Sequence, residues 1–350
     1  MEKNISIASI RPGLNIERKR VYAKVRSLQA QKITVSTIAG DGTAGFLDGP
    51  ALAAKIQSPM DVAVMPDDSI YIADAFSSCI RKLQNETVTT FAGNGNANIT
   101  NGRGSTARFK IPSRITKDRT GNLYILDAAD PRIRMITPSS DVSIYAGTNI
   151  FGFKDGNISV AQFGQSFGIV TDVQGNMYVA DSQNDSVRKI SHSGTVSTIA
   201  GKNMPGIIDN QISCVQFHFI TGIGVDKKGN VFVSDLSRIC KIDPTGVISI
   251  FAGNNIKGYS DGKYGIAKFS QIEGLVIDND ENIYVTDENR IRKITPQGVV
   301  STIAGSVAGF KDGEGTSAKF NGPHGLAIDK QGSIYVADFN NKRVRKISFE

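Results

Sequence analysis

One tetrapeptide pattern returns six times along this chain at almost constant spacing. It reads YIAD, YILD, YVAD, FVSD, YVTD and YVAD, and its aspartates, Asp74, Asp127, Asp181, Asp235, Asp287 and Asp338, lie 53, 54, 54, 52 and 51 residues apart. An Ala-Gly pair keeps the same step, with Gly40, Gly93, Gly147, Gly201, Gly253 and Gly305 at intervals of 53, 54, 54, 52 and 52. Two unrelated markers in step mean one structural unit repeated. Units of this length bury their apolar faces on one another.

The last copy shows the unit: GLAID, KQG, SIYVAD, a short loop, then VRKI. Earlier copies continue through turns such as SHSGT and TPQGV into VSTIAG. Each piece is short, rich in Ile, Val, Tyr, Thr and Phe, and bounded by Gly, Asp, Asn or Pro, which is the pattern of strands joined by tight turns. Four antiparallel strands in about fifty residues make a propeller blade. Apolar residues occupy both phases of residues 334–337 (IYVA), as a sheet covered on both faces requires. The ends complete the case. Residues 33–39 (ITVSTIA) are a fourth strand with no first three before it, and the closing VRKISFE is a third strand with no fourth after it. The prediction is an all-β fold over residues 33–350, a closed six-bladed β-propeller of four-stranded antiparallel blades. The N-terminal strand completes the last blade, and residues 1–32 stand outside the repeat.

Charge is unevenly spread. The chain carries +7, but residues 1–32 hold eight basic and two acidic residues, which leaves +1 for the repeats. A body so near neutrality is not a nucleic-acid binder on charge alone. In the leader, residues 17–20 (ERKR) form a basic cluster, and Val21, Val25 and Leu28 share a short helical face. A flexible or short helical segment is expected there. Cys79, Cys214 and Cys240 are too few and too scattered for a disulfide framework or a metal site, so reduced thiols are expected. No stretch approaches the ~20 apolar residues of a membrane span. No apolar signal core opens the chain. A cytoplasmic monomer is the expectation.

The repeats resemble the NHL family of propeller repeats over residues 33–350. The carriers are residues 323–327 (PHGLA), the turn 329–332 (DKQG), the strand Ile334–Asp338 and residues 341–347 (NKRVRKI), with an insert seen at 308–313 (AGFKDG) and 318–320 (AKF). The resemblance implies the fold. It implies no single function, because propellers of this kind include protein-binding platforms, RNA binders, extracellular sensor domains and, rarely, lyases. Some copies depart from the pattern. Met65 and Asp68 replace Asp and Gly of the first turn, and Arg114 replaces the Gly of Pro-x-Gly. Cys240 replaces an Arg, Asn210 the Gly of an Asp-Gly pair, and Glu281 a turn Gly.

Residues common to all blades are expected to hold the ring. Five of the six aspartates are followed, after a short loop, by Arg81, Arg134, Arg188, Arg292 and Arg345, so each carboxylate and guanidinium can pair across the ladder. Asp235 faces Cys240 and has Arg238 as a substitute. The Asp-Gly pairs at Asp48, Asp155, Asp261 and Asp312 read as turn formers rather than calcium loops, since no dense run of acids accompanies them.

Unlike residues at equivalent positions mark the candidate site. The entry to the first strand and the loop after the second lie at one end of a propeller, where function sits on a rigid scaffold. The Pro-x-Gly position reads Met60, Ser113, Phe167, Thr221, Glu273 and His324. The next position departs from Gly at Asp61 and Arg114, and the loop after the second strand adds Phe76, Glu288 and Phe339. Aromatic anchors with single charges suit a peptide or protein ligand, so a non-catalytic binding module without a cofactor is expected. Alternatives are a propeller enzyme of the metal-dependent lyase or lactonase kind, with His218, Glu273 and His324 as metal ligands, and an RNA-binding domain using Arg114, Arg132, Arg290, Lys342 and Arg343. No nucleophile elbow or phosphate loop is present.

Overall fold

Each repeat folds into a sheet because its hairpins are fixed locally. The computed structural model describes residues 32–201 and 217–350. The leader with its Val21, Val25 and Leu28 face, Asn210 and Cys214 lie outside the described residues. The turn between first and second strands is organised by its leading aspartate. Asp118 Oδ1 accepts the N–H groups of Thr120 and Asn122, both at 2.9 Å, while Oδ2 accepts the Tyr124 hydroxyl at 3.1 Å. Asp172 with Tyr178, Asp278 with Tyr284 and Asp329 with Tyr335 repeat the last contact. The tyrosine opening the recurrent tetrapeptide thus ties the second strand to the turn before it. In two copies the glycine of this turn is replaced, and Asp68 and Glu281 hold φ of 63° and 65° there, a left-handed conformation that disfavours side chains.

The six sheets are antiparallel and arranged as blades, with the first strand innermost. The inner strands are Pro59–Val64, Pro112–Lys117, Gly168–Thr171, Ile220–Val225, Ile272–Ile277 and Pro323–Ile328. Every second strand, such as Ile334–Asp338, is buried at all five residues, because the neighbouring blades cover both its faces. Core clusters therefore cross blade boundaries. Tyr335, Ala337 and Val344 of the sixth blade pack with Val62, Ile70 and Ile72 of the first. Each large aliphatic so buried contributes about 1.5–3 kcal/mol.

The ring closes as the repeat order demands. Ile33–Ala39 pairs antiparallel with Arg343–Phe349, with Ile33 opposite Phe349, Val35 opposite Ile347 and Thr37 opposite Arg345. The insert adds something the repeat did not announce. In blades 1, 2, 3 and 6 it supplies a fifth, two-residue strand on the outer edge: Gly49–Pro50, Gly102–Arg103, Gly156–Asn157 and Gly313–Glu314. That strand shields part of an edge otherwise open to pairing with another chain.

The inserts also change the reading of the Asp-Gly pairs. Asp48, Asp155, Asp261 and Asp312 are not only turn formers. Each accepts the Nη2 of a fully buried arginine, at 2.6 Å to Arg81 and Arg188, 2.8 Å to Arg292 and 2.5 Å to Arg345. The other guanidinium nitrogen of the same arginine reaches the expected partner, Asp74, Asp181, Asp287 or Asp338, at 2.6–3.2 Å. Aromatic rings flank the cation, as Phe310 and Phe320 flank Arg345 with centroids 4.9 and 5.0 Å away. Asp235 pairs with Arg238 at 2.5 Å, and Cys240 is a buried free thiol, as is Cys79.

One expected pair is not formed. Arg134 does not bond Asp127. It donates instead to the carbonyls of Arg108 and Thr100 and to Asn101 Oδ1, while Asp127 accepts the N–H groups of Lys110, Ile111 and Ala129. Blade 2 carries Asn101 where the other five repeats carry an aspartate, so the second anchor of its arginine is a neutral amide.

Candidate central site on the loop face

The six inner strands surround a central cavity of about 300 Å3. Close approach of these strands depends on the glycine after Pro-x. A Cβ on Gly168 would lie 2.1 Å from the Thr221 carbonyl oxygen, and one on Gly274 would lie 2.4 Å from that of His324. The two copies that depart from glycine, Asp61 and Arg114, therefore bring charged side chains to the channel axis.

Asp61 bridges three blades. Its Oδ1 accepts the Val62 N–H at 2.9 Å and its Oδ2 the Ile115 N–H of blade 2 at 3.0 Å. The space it fills belongs to blade 6, where a Cβ on Gly325 would lie 1.8 Å from Asp61 Oδ1. Burial pushes this carboxyl up to about 6, with Arg114 and the two amides pulling the other way. Arg114 crosses the ring. Its Nε donates to the Phe167 carbonyl at 2.7 Å, its Nη1 to the Ser113 carbonyl at 3.0 Å, and its Nη2 lies 3.6 Å from Glu273 Oε2 on the opposite blade. Glu273 Oε1 accepts Gln271 Nε2 at 2.6 Å. His324 Nδ1 lies 4.0 Å from Glu273 Oε2 and has no hydrogen-bond partner among the described residues. Burial, with Arg114 second, lowers His324 to about 4, against the opposing pull of Glu273. It is neutral at pH 7.

Around this polar centre stand two aromatic groups on opposite sides of the mouth. Between blades 6 and 1, His324 meets Phe339 in a tilted contact at 4.8 Å and Phe339 meets Phe76 at 6.4 Å. Lys342 Nζ lies 4.7 Å from the Phe339 centroid. Between blades 3 and 4, Phe167 meets Phe219 at 5.6 Å, and both line a hollow of about 500 Å3 with Phe151, Gln165 and Gln183. Phe76 is 60% exposed, Phe151 45% and Phe219 44%.

The expected site residues divide into two layers. Asp61, Ser113, Arg114 and Thr221 are buried beneath the face, with Ser113 and Thr221 bonded to the carbonyls of Leu126 and Ile272. They shape the site and offer little surface, contrary to the picture of a loop rim. Met60, Phe167, Glu273, His324 and Phe339 are half-buried around the mouth, and Phe76 and Glu288 are exposed. The three residues named as metal ligands do not converge. His218 is exposed, 3.9 Å from Asp235, and among the described residues no group of three His, Cys, Asp or Glu side chains is placed to hold a metal ion. Of the basic residues named for RNA, Arg132 is paired with Asp130 at 2.9 Å and Arg290 lies 3.8 Å from Glu288. Phe151 and Phe219 were missed. Phe219 occupies the position before the Pro slot, which reads Ser58, Ile111, Gln165, Phe219, Gln271 and Gly322 and is as variable as its neighbour.

Six antiparallel blades around one axis define a six-bladed β-propeller. The model of the NHL repeat matches residues 320–347, within the last blade. Teneurin-3 of Mus musculus is 25% identical over 374 residues, taking in 92% of this chain and 14% of that protein. The chain thus spans a small part of the curated relatives it matches first. Among solved structures, an auxiliary nutrient binding protein from Bacteroides thetaiotaomicron superposes with a TM-score of 0.68 at 19% identity, covering 92% of this chain and 77% of the other. Virginiamycin B lyase from Staphylococcus aureus does so with a TM-score of 0.53 at 12% identity, covering 91% and 99%. At such identities the likeness shows the fold alone. No helix among the described residues is long and apolar enough to cross a membrane.

Proposed function

We propose that the loop face is a recognition surface for an extended peptide segment of a protein partner, laid across the channel mouth from one aromatic group to the other. One observation carries this reading: exposed aromatic side chains are gathered at two opposite points of the face, around Phe76 and Phe339 and around Phe167 and Phe219. Exposed aromatic rings cost solvation and gain it back when a partner covers them, and clustered aromatics are the usual anchors of protein recognition. Gln165 Nε2 donates to the Ala128 carbonyl and Gln183 Oε1 accepts the Gln165 N–H, which leaves Gln165 Oε1 and Gln183 Nε2 to bond a peptide backbone.

The test is selection of binding peptides from a random displayed library on the full chain. Recovered peptides should share apolar or aromatic residues at two separated positions. Their binding should weaken at least tenfold in a Phe76→Ala/Phe339→Ala variant and in a Phe167→Ala/Phe219→Ala variant, each losing anchors worth about 2 kcal/mol. Peptides that bind both variants as well as the parent chain place recognition elsewhere.

A further inference from the structure

The centre of the same face holds a guanidinium nitrogen and a carboxylate oxygen side by side, in ion-pair contact but without a hydrogen bond between them. Arg114 commits Nε and Nη1 to backbone carbonyls, and Glu273 commits Oε1 to Gln271. What remains is Arg114 Nη2 and Glu273 Oε2, 3.6 Å apart, too long for a hydrogen bond. Both residues line the central cavity. Their side chains are 5% and 19% exposed, so little solvent reaches them. Neither atom is fully enclosed, so a guest in the cavity can reach both.

The hydrogen-bond inventory narrows what that is. Nη2 needs an acceptor and Oε2 needs a donor, on neighbouring atoms of one guest. A primary carboxamide has both: its oxygen accepts from Nη2 while its nitrogen donates to Oε2, closing a ring of two charge-assisted bonds. A carboxylate answers Arg114 but has no donor for Glu273 and adds a third negative group beside Glu273 and Asp61. An ammonium answers Glu273 but has no acceptor for Arg114 and meets its charge. A trans peptide bond points its donor and acceptor to opposite edges. His324 adds no charge of its own at pH 7.

We propose that Arg114 and Glu273 form a receptor for a primary carboxamide, the side chain of an Asn or Gln presented by a bound peptide. This rests on the loop face being a peptide-binding surface, and it adds the specificity of the central position.

The test uses ligand-observed NMR on the full chain with butanamide, butanoate, butylamine and glucose as separate probes. Butanamide alone should bind. In Glu273→Gln, the bond from Gln271 holds the new amide oxygen in place, so an N–H donor replaces the carboxylate oxygen beside Arg114. Butanamide binding should fall about tenfold and butanoate binding should appear, because the pair now offers donors only. Arg114→Lys should weaken butanamide without admitting butanoate to the same degree, since a point charge lacks the planar fork. Thermal melts establish that each variant is folded, and selection among the four probes by the parent chain decides the matter if either is not. Absence of butanamide binding, binding unchanged in Glu273→Gln, or glucose binding in its place would overturn the proposal. Success with butanamide but failure of peptide selection would remove only the peptide reading. Selected peptides that lack Asn and Gln would remove only this one.

Discussion

Asp312 Oδ1 lies 2.5 Å from Arg345 Nη2, and Oδ2 of the same carboxylate accepts the backbone N–H of Thr37 at 3.1 Å. Thr37 belongs to the N-terminal strand that closes the ring. A residue of the last insert therefore joins the last blade's third strand to a strand 275 residues away in sequence. Asp312→Ala should lower stability by about 2 kcal/mol, the loss expected for charge-assisted bonds to a part-exposed carboxylate. Urea unfolding reads it. No change in midpoint would show that closure depends on the strand ladder alone.

Blade 2 is the natural contrast. The cross-strand partner of the buried arginine is Thr90, Thr198, Thr302 or Thr37 where the insert has an aspartate, but Ile144 where it has Asn101. Asn101→Asp with Ile144→Thr should rebuild the missing anchor around Arg134. A gain of about 1 kcal/mol in the double variant, larger than the sum of the single changes, is expected because the two groups bond each other as well as the arginine. Additive single effects in thermal melts would contradict it.

The channel mouth should show opposed pH dependences. Asp61 is raised from 3.8 to about 6, so the folded state favours its protonated form, and its contribution falls as pH rises through that window. His324 is lowered from 6.5 to about 4, so its contribution is complete above 6.5 and is lost as pH falls towards 4. The two slopes largely cancel in the parent chain. Relative to the parent, Asp61→Asn should show stability rising with pH between 4 and 6. His324→Gln should show the reverse slope. Identical pH profiles in the parent and both variants would remove Asp61 and His324 as buried titrating groups.

Gly325 is required by its neighbour rather than by its own backbone. Gly325→Ala places a Cβ on Asp61 and should cost about 2 kcal/mol through overpacking. Asp61→Gly in the same chain should recover part of the loss and not all of it, because the Cα of residue 61 itself would lie 2.7 Å from the added Cβ. An equal cost with and without Asp61 would locate the strain elsewhere.

The candidate site was half legible in the sequence. Variation at Pro-x-Gly named Phe167, Glu273 and His324, which lie around one mouth of the channel, because equivalent positions in a repeat share one place in space. It did not separate Arg114 and Asp61, which lie beneath the face, from Phe76, which stands on it. Depth depends on how far a neighbouring blade comes in, and that distance is set by glycines on other strands. Phe219 escaped notice because its slot varies too, yet only its approach to Phe167 gives it meaning.

The sequence by itself determined the number of blades, the order of strands, the shared last blade and the aspartates and arginines that recur in it. A repeat with apolar residues in both strand phases has no other way to bury them. Tertiary structure decided which partners those charges take. Arg345 reaches Asp312 as well as Asp338, and Arg134 leaves Asp127 for an asparagine, because the insert folds back over its own blade. It also decided that Arg114 and Glu273, 159 positions apart in sequence, face each other across the channel. Opposite blades of a closed ring meet only at its axis, and no local pattern encodes that meeting.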